Sequence, residues 1–194
     1  MICCNQHAIW RGKHPPTGCA FFSFVLQTRK GKTFGELTMT EIDTGISAEH
    51  RALVGEELKK LLADTYALYL QTQNFHWNVT GPHFRQLHLM FEEQYGQLAE
   101  AVDGIAERIR SLDLAAPATF KVFAQLKSIE DVDGVPTSDE MVCTLAENHQ
   151  KVIKTARNTL AVAEQVSDEA TADMVTGRLD EHEKTAWMLR ASAR

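Results

Sequence analysis

NFHWNVTGPHFRQLHLMFEEQYGQLAEAVDGIAE, residues 74–107, sets histidines and carboxylates at helical spacing. His88 and Glu92 stand four apart, as do Asp103 and Glu107, so on a helix each pair shares one face. The step from Glu92 to Asp103 is eleven residues, about 1100° of rotation, which returns the second pair to within about 20° of the first. All four side chains therefore look the same way. They cannot close on one ion within one chain, because eleven residues climb about 16 Å along the axis and metal–ligand bonds are about 2 Å long. A second, antiparallel copy of the helix resolves this. Turned about a two-fold axis between Gln97 and Leu98, it sets His88 and Glu92 of one chain against Glu107 and Asp103 of its partner. An isologous dimer makes two such sites at once.

Close approach of two such helices accounts for Gly96, a poor helix former, though less directly for Gly104. His76 supplies a fifth ligand from the end of the preceding helix. It continues the heptad stripe Leu62–Tyr69–His76, which faces the bundle rather than water. Two imidazoles with three carboxylates suit iron, since carboxylates favour Fe(III) as it forms; zinc and manganese stay open. Taken singly, His76 reads as a hydrogen-bonded core histidine, and the acids read as solvated helix charges. The pairs are like-charged or weakly attractive, so they do not read as stabilising ion pairs. Their conjunction points to a metal site.

Outward from this stretch, the pattern is helical. Ser47 caps a helix carrying Leu53, Val54, Leu58, Leu61, Leu62, Tyr69 and Leu70, which runs to about Val79 and stops at Gly81-Pro82. A second helix starts near His83 and reaches about Leu112, with Leu87, Phe91, Tyr95, Leu98, Val102, Ile105 and Ile109 as its apolar stripe. Residues 113–137 hold Pro117, Gly134 and Pro136 and a short helical piece at about Phe120–Lys127. A third long helix opens at Ser138, with Asp139 and Glu140 where the helix dipole favours acids, and runs to about Val166. A fourth spans Asp168 to about Arg190.

The predicted fold is all-α: a four-helix bundle whose second and third long helices are joined by a long crossover bearing a short helix. A helix of about 28 residues is about 42 Å long, and the connecting segment can cross that distance. One long crossover is the ferritin-like arrangement. Intrasubunit di-iron sites of larger ferritins use Glu-x-x-His pairs, and these are missing: Ala146 precedes His149 by three, and Leu179 precedes His182. Both histidines read as ordinary bundle residues, which disfavours a di-iron oxygenase.

Residues 1–46 lack sustained periodicity and form an N-terminal extension ahead of the domain at 47–194; they read as a disordered tail, or as sequence upstream of a true start at Met39. No convincing signal peptide is present. Cys3, Cys4, Cys19 and Cys143 make no CxxC and no disulfide framework, a usage that fits a reducing cytosol. The longest apolar run, Cys19–Leu26, falls short of the about 20 residues a membrane span needs. The net charge of −6 divides unevenly: residues 1–38 carry five Lys or Arg against Glu36, leaving the remainder at −10. The acidic body repels nucleic acid, whereas the basic head is a candidate for non-specific DNA binding.

The runs Asn74-Phe75-His76-Trp77-Asn78-Val79-x-Gly81, Phe84-x-x-Leu87-His88 and Asp103-x-x-Ala106-Glu107-Arg108 resemble the signature of the Dps family of miniferritins, and the likeness covers about residues 47–190. Glu92 departs from it, standing where many members have Asp. The resemblance implies a ferroxidase that binds Fe(II) at His76, His88, Glu92, Asp103 and Glu107 across a subunit interface. It also implies oxidation of the metal by hydrogen peroxide and Fe(III) storage in a dodecamer. Trp77, next to a ligand, is implied to absorb stray oxidising equivalents, though it reads equally as core packing. A cytoplasmic protein is expected, nucleoid-associated if DNA is bound. The rival expectation is a DNA-compacting structural protein that uses its basic tail.

Overall fold

Ser47 starts the first helix by accepting a hydrogen bond from the His50 N–H at 3.2 Å. The computed structural model describes residues 42–193, so the expectations placed on the N-terminal cysteines, the basic head and Met39 lie outside the described residues. Five helices follow: α1 Ala48–Asn78, α2 Phe84–Ser111, α3 Phe120–Leu126, α4 Ser138–Gln165 and α5 Glu169–Ser192. Among the described residues there is no strand. The ends agree with the sequence expectations to within one or two residues, because the caps are local chemistry. Thr119 accepts from Val122 N–H, Thr137 forms a capping box with Glu140, and Asp168 accepts from Thr171 N–H. Gly81 sits at φ +107 in the link between α1 and α2, a conformation open to glycine and strained for other residues.

The hairpin α1–α2 packs through α1 onto α4, and α4 pairs with α5. The shared core includes Val54, Leu58, Leu61, Leu68, Phe75, Phe91, Ile105, Leu145, Val152 and Leu189. Leu53 and Leu70, expected in the buried stripe, are instead about half exposed, at 50% and 45%. Each lies one residue from an inward-turned position, and one residue is about 100° of turn. Tyr69, Tyr95 and Val102 are half-buried.

The crossover is fastened by a polar hub. Asp64, buried on α1, accepts from Ser128 N–H at 2.5 Å and Ser128 Oγ–H at 2.9 Å on the crossover, and from Thr155 Oγ1–H at 2.7 Å on α4. Removing that carboxylate breaks three hydrogen bonds to part-buried donors, each contributing about 1 kcal/mol. Gln71 and Asn148 add a second tie at 2.5 Å. At the far end of α2, Arg108 donates to Asp168 at 2.6 Å and to Thr171 at 2.8 Å. Burial pushes the Asp168 carboxyl up, but the bonds from Arg108 and Thr171 and the guanidinium charge outweigh it, and the group lies below its ordinary range.

Candidate metal centre

The link Val79–His83 is short, so the end of α1 and the start of α2 lie side by side. Two histidines exploit that closeness. His76 Nδ1 lies 2.8 Å from the His88 carbonyl oxygen, and His88 Nδ1 lies 2.9 Å from the His76 carbonyl oxygen. A carbonyl only accepts, so each Nδ1 bears the proton and each Nε2 of a neutral ring keeps its lone pair. This is the outer-shell arrangement that fixes tautomer and ring direction in a metal-binding histidine. The two rings stack at 3.8 Å with 18° between planes, and Phe84 stacks on the outer side of His88 at 5.0 Å. His76 is 8% exposed and His88 half-buried.

Glu92 follows His88 by one helical turn and is exposed. Asp103 and Glu107, farther along α2, are exposed as well. Among the described residues none of the three carboxylates enters an ion pair. Because α2 is unbroken from Phe84 to Ser111, the helical arithmetic holds along its length, and the two pairs stay about 16 Å apart along the axis. Within one chain, no three His, Cys, Asp or Glu side chains of the described residues converge on a point. The structure thus brings His76 and His88 together; Glu92 stands one turn further on α2 without closing a three-ligand cluster with them, and Asp103 and Glu107 lie farther along the same helix. Within the chain nothing crowds Gly96 or Gly104, so packing inside the subunit requires neither glycine.

About 100° around α2 from the distant pair lies apolar surface. There Val102 and Ala106 line a groove with Leu62, Tyr66, Pro117 and Phe120. Phe120 is 75% exposed. Trp77, beside His76, is 64% exposed, so the core-packing alternative for it does not hold within one chain.

His149 and His182 lie elsewhere, between α4 and α5, with their Nδ1 atoms 3.0 Å apart. One ring donates and the other accepts. Burial, and then the charge of Arg178, push His149 down to about 3; burial, His149 and Arg178 push His182 well below its ordinary value. Both side chains are buried within the bundle, and sequence spacing gave no sign that they pair.

Residues 55–194 match the ferritin-like domain family. An uncharacterized low temperature-induced protein of Nostoc sp. is 39% identical over 155 residues, covering 79% of this chain and 87% of that one. DNA protection during starvation protein 2 of Bacillus anthracis is 37% identical over 136 residues, covering 70% and 93%. Among solved structures, the Dps protein of Vibrio cholerae O1, described as a member of the ferritin-like diiron-carboxylate proteins, superposes with a TM-score of 0.76 at 26% identity. That match covers 82% of this chain and all of the other.

Proposed function

This chain belongs to the Dps family of ferritin-like proteins, and from that premise we propose that it oxidises Fe(II) at a site shared by two copies and stores the Fe(III) within a closed shell. The observation that carries this is the reciprocal His76–His88 bonding, which leaves both Nε2 lone pairs available, with the exposed carboxylate of Glu92 one helical turn beyond His88. The partner's Asp103 and the partner's Glu107 complete the ligand set, and the apolar groove beside Phe120 gives the two-fold contact something to bury. Iron is the substrate. Two ferrous ions give one electron each to hydrogen peroxide, which takes up two protons and leaves as two waters, so no hydroxyl radical is released. The carboxylates offset the rising charge of the metal, and the imidazoles hold its position.

Anaerobic Fe(II) titration of the assembled protein, followed by separate additions of peroxide and oxygen, tests this. Saturable Fe(II) binding, faster oxidation by peroxide and a dodecamer by light scattering are expected. A stable monomer or isolated dimer at micromolar concentration removes the cavity and with it the storage role.

DNA protection then follows from consuming iron and peroxide. The second, direct route rests on the charge of +4 in residues 1–38 against −10 in the rest. Repeated on every subunit of one shell, this basic stretch gains avidity, and the repulsion of phosphate by the acidic body fades over about 8 Å at physiological salt. In a gel-shift series the full chain is expected to retard DNA at low salt only, and a chain starting at Met39 not at all. Equal binding by both chains overturns the tail route, and binding by neither leaves protection purely chemical.

A further inference from the structure

We propose that Tyr95, Tyr69 and Tyr66 form a relay that lends the iron site a single electron and holds the resulting oxidising equivalent away from the metal. This rests on the ferroxidase reading above. The chain has three tyrosines in all, and all three stand in one line of ring contacts that begins on a metal ligand. The His76 ring meets Tyr95 edge-on, with centroids 5.2 Å apart and 73° between planes. Tyr95 meets Tyr69 at 6.3 Å and 73°, and Tyr69 meets Tyr66 at 5.8 Å and 61°. Tyr66 ends against Phe123 at 5.0 Å and Phe120 at 6.4 Å. These separations are ordinary aromatic contact, and electron transfer falls off exponentially with distance, so each step is short.

The placement follows from helix geometry. Tyr66 and Tyr69 are three apart on α1 and His76 lies seven beyond Tyr69, so all three share the side that meets α2, where Tyr95 stands across from them. Phenols are among the most readily oxidised side chains, and phenylalanine is far harder to oxidise, so the line has its far end at Tyr66. The three tyrosines are half-buried, close enough to water to exchange a proton. Tyr69 Oη accepts a hydrogen bond from Gln73 Nε2 at 3.2 Å, which leaves its own proton free to move.

The chemical need arises when peroxide meets a site holding one ferrous ion. Peroxide requires two electrons and the ion gives one. Tyr95 gives the second and loses its phenolic proton: one Fe(II), one hydrogen peroxide, one phenol and one proton become one Fe(III), one neutral phenoxyl and two waters. Tyr69 then passes an electron to Tyr95 while its proton goes to water and Tyr95 takes one back from water, and Tyr66 does the same for Tyr69. When another ferrous ion arrives, its electron and a proton from water restore the phenol. The sum is the two-iron reaction, spread over time. Trp77, exposed beside His76, is the competing electron donor.

The test uses the assembled protein loaded anaerobically with less than one Fe(II) per site, mixed with peroxide and frozen for electron paramagnetic resonance. Ferric iron and a protein radical are expected together. Growing the protein with ring-deuterated tyrosine collapses the radical's hyperfine splitting, which identifies it with these three residues alone. Tyr95→Phe reduces the signal several-fold and raises hydroxyl-radical spin adducts correspondingly. Tyr69→Phe, which keeps the packing at the middle rung, confines the radical to Tyr95 and shortens its lifetime. Ferric iron without a radical, or a spectrum unchanged by tyrosine deuteration, overturns the relay and leaves the ferroxidase reading standing. Failure to form ferric iron under peroxide overturns both.

Discussion

Shells built only from His88→Ala subunits, or only from Glu107→Gln subunits, are expected to lose rapid iron oxidation, and shells assembled from an equal mixture are expected to recover about a quarter of it. The loss in each variant is expected to be at least about 10–100-fold, the range found when merely an outer-shell partner of a metal ligand is removed. Recovery follows from the two-fold geometry. A dimer with one variant of each kind joins the intact histidines of one chain to the intact acids of the other at one site, and both lesions fall at the second. Half the dimers are mixed under random assembly, hence about a quarter of the sites. Stopped-flow oxidation of mixed and unmixed shells, with subunit exchange verified by mass spectrometry, gives the answer. No recovery despite exchange would show that the ligands belong to one chain. The contrast is sharp because the alternative, an intrasubunit site, predicts no complementation at any mixing ratio.

The second large effect is a loss of stability in mild acid. His149 titrates at about 3 in the fold and at about 6.5 in the unfolded chain. Below pH 6.5 the unfolded chain therefore binds a proton that the folded one refuses, and stability falls as pH falls. His149's contribution is fully present above that value and is lost progressively toward about pH 3. By pH 5 the loss is about 2 kcal/mol from His149 alone, and His182 shifts in the same direction. The groups lining this part of the interior are Arg178 and Glu181 on α5, with Gln94 and Gln97 on α2. No carboxylate hydrogen bond stands ready to receive the new charge. Asp168 loses its contribution only below the ordinary carboxylate range, outside this window. Urea midpoints measured from pH 7.5 to pH 4.5 are expected to decline steeply for the native chain and to stay nearly flat for the double variant His149→Leu, His182→Leu. An equal slope in both chains assigns the acid sensitivity elsewhere.

Much of this protein could be read before its coordinates. Four long helices and the short one in the crossover follow from apolar spacing and from caps such as Ser47 and Thr137, which act within a turn of themselves. The ligand-type residues on α2 were legible for the same reason, since one unbroken helix makes residue number a measure of angle and height. What stayed hidden depends on different elements meeting. Asp64 looks in sequence like any helical acid, yet its partners lie 64 and 91 positions away. His149 and His182 are 33 apart and on separate helices. The tyrosine line crosses from α1 to α2, and the imidazole–carbonyl pair depends on how tightly the α1–α2 link turns. Leu53 and Leu70 show the remaining error, in which a generous apolar stripe takes in neighbours one residue too wide.

The reciprocal bonds of His76 and His88 have a consequence for how the gene can vary. Each ring is tied to the other residue's backbone, so the end of α1, the link Val79–His83 and the first turn of α2 are clamped at both ends, with Gly81 alone at positive φ within them. A residue added or deleted within the helical part of that stretch turns the ligand-bearing positions by about 100° and breaks both bonds at once. A change of length is expected to cost the paired histidines there and to be tolerated better in stretches without such a clamp, such as the approach to α4 around Gly134.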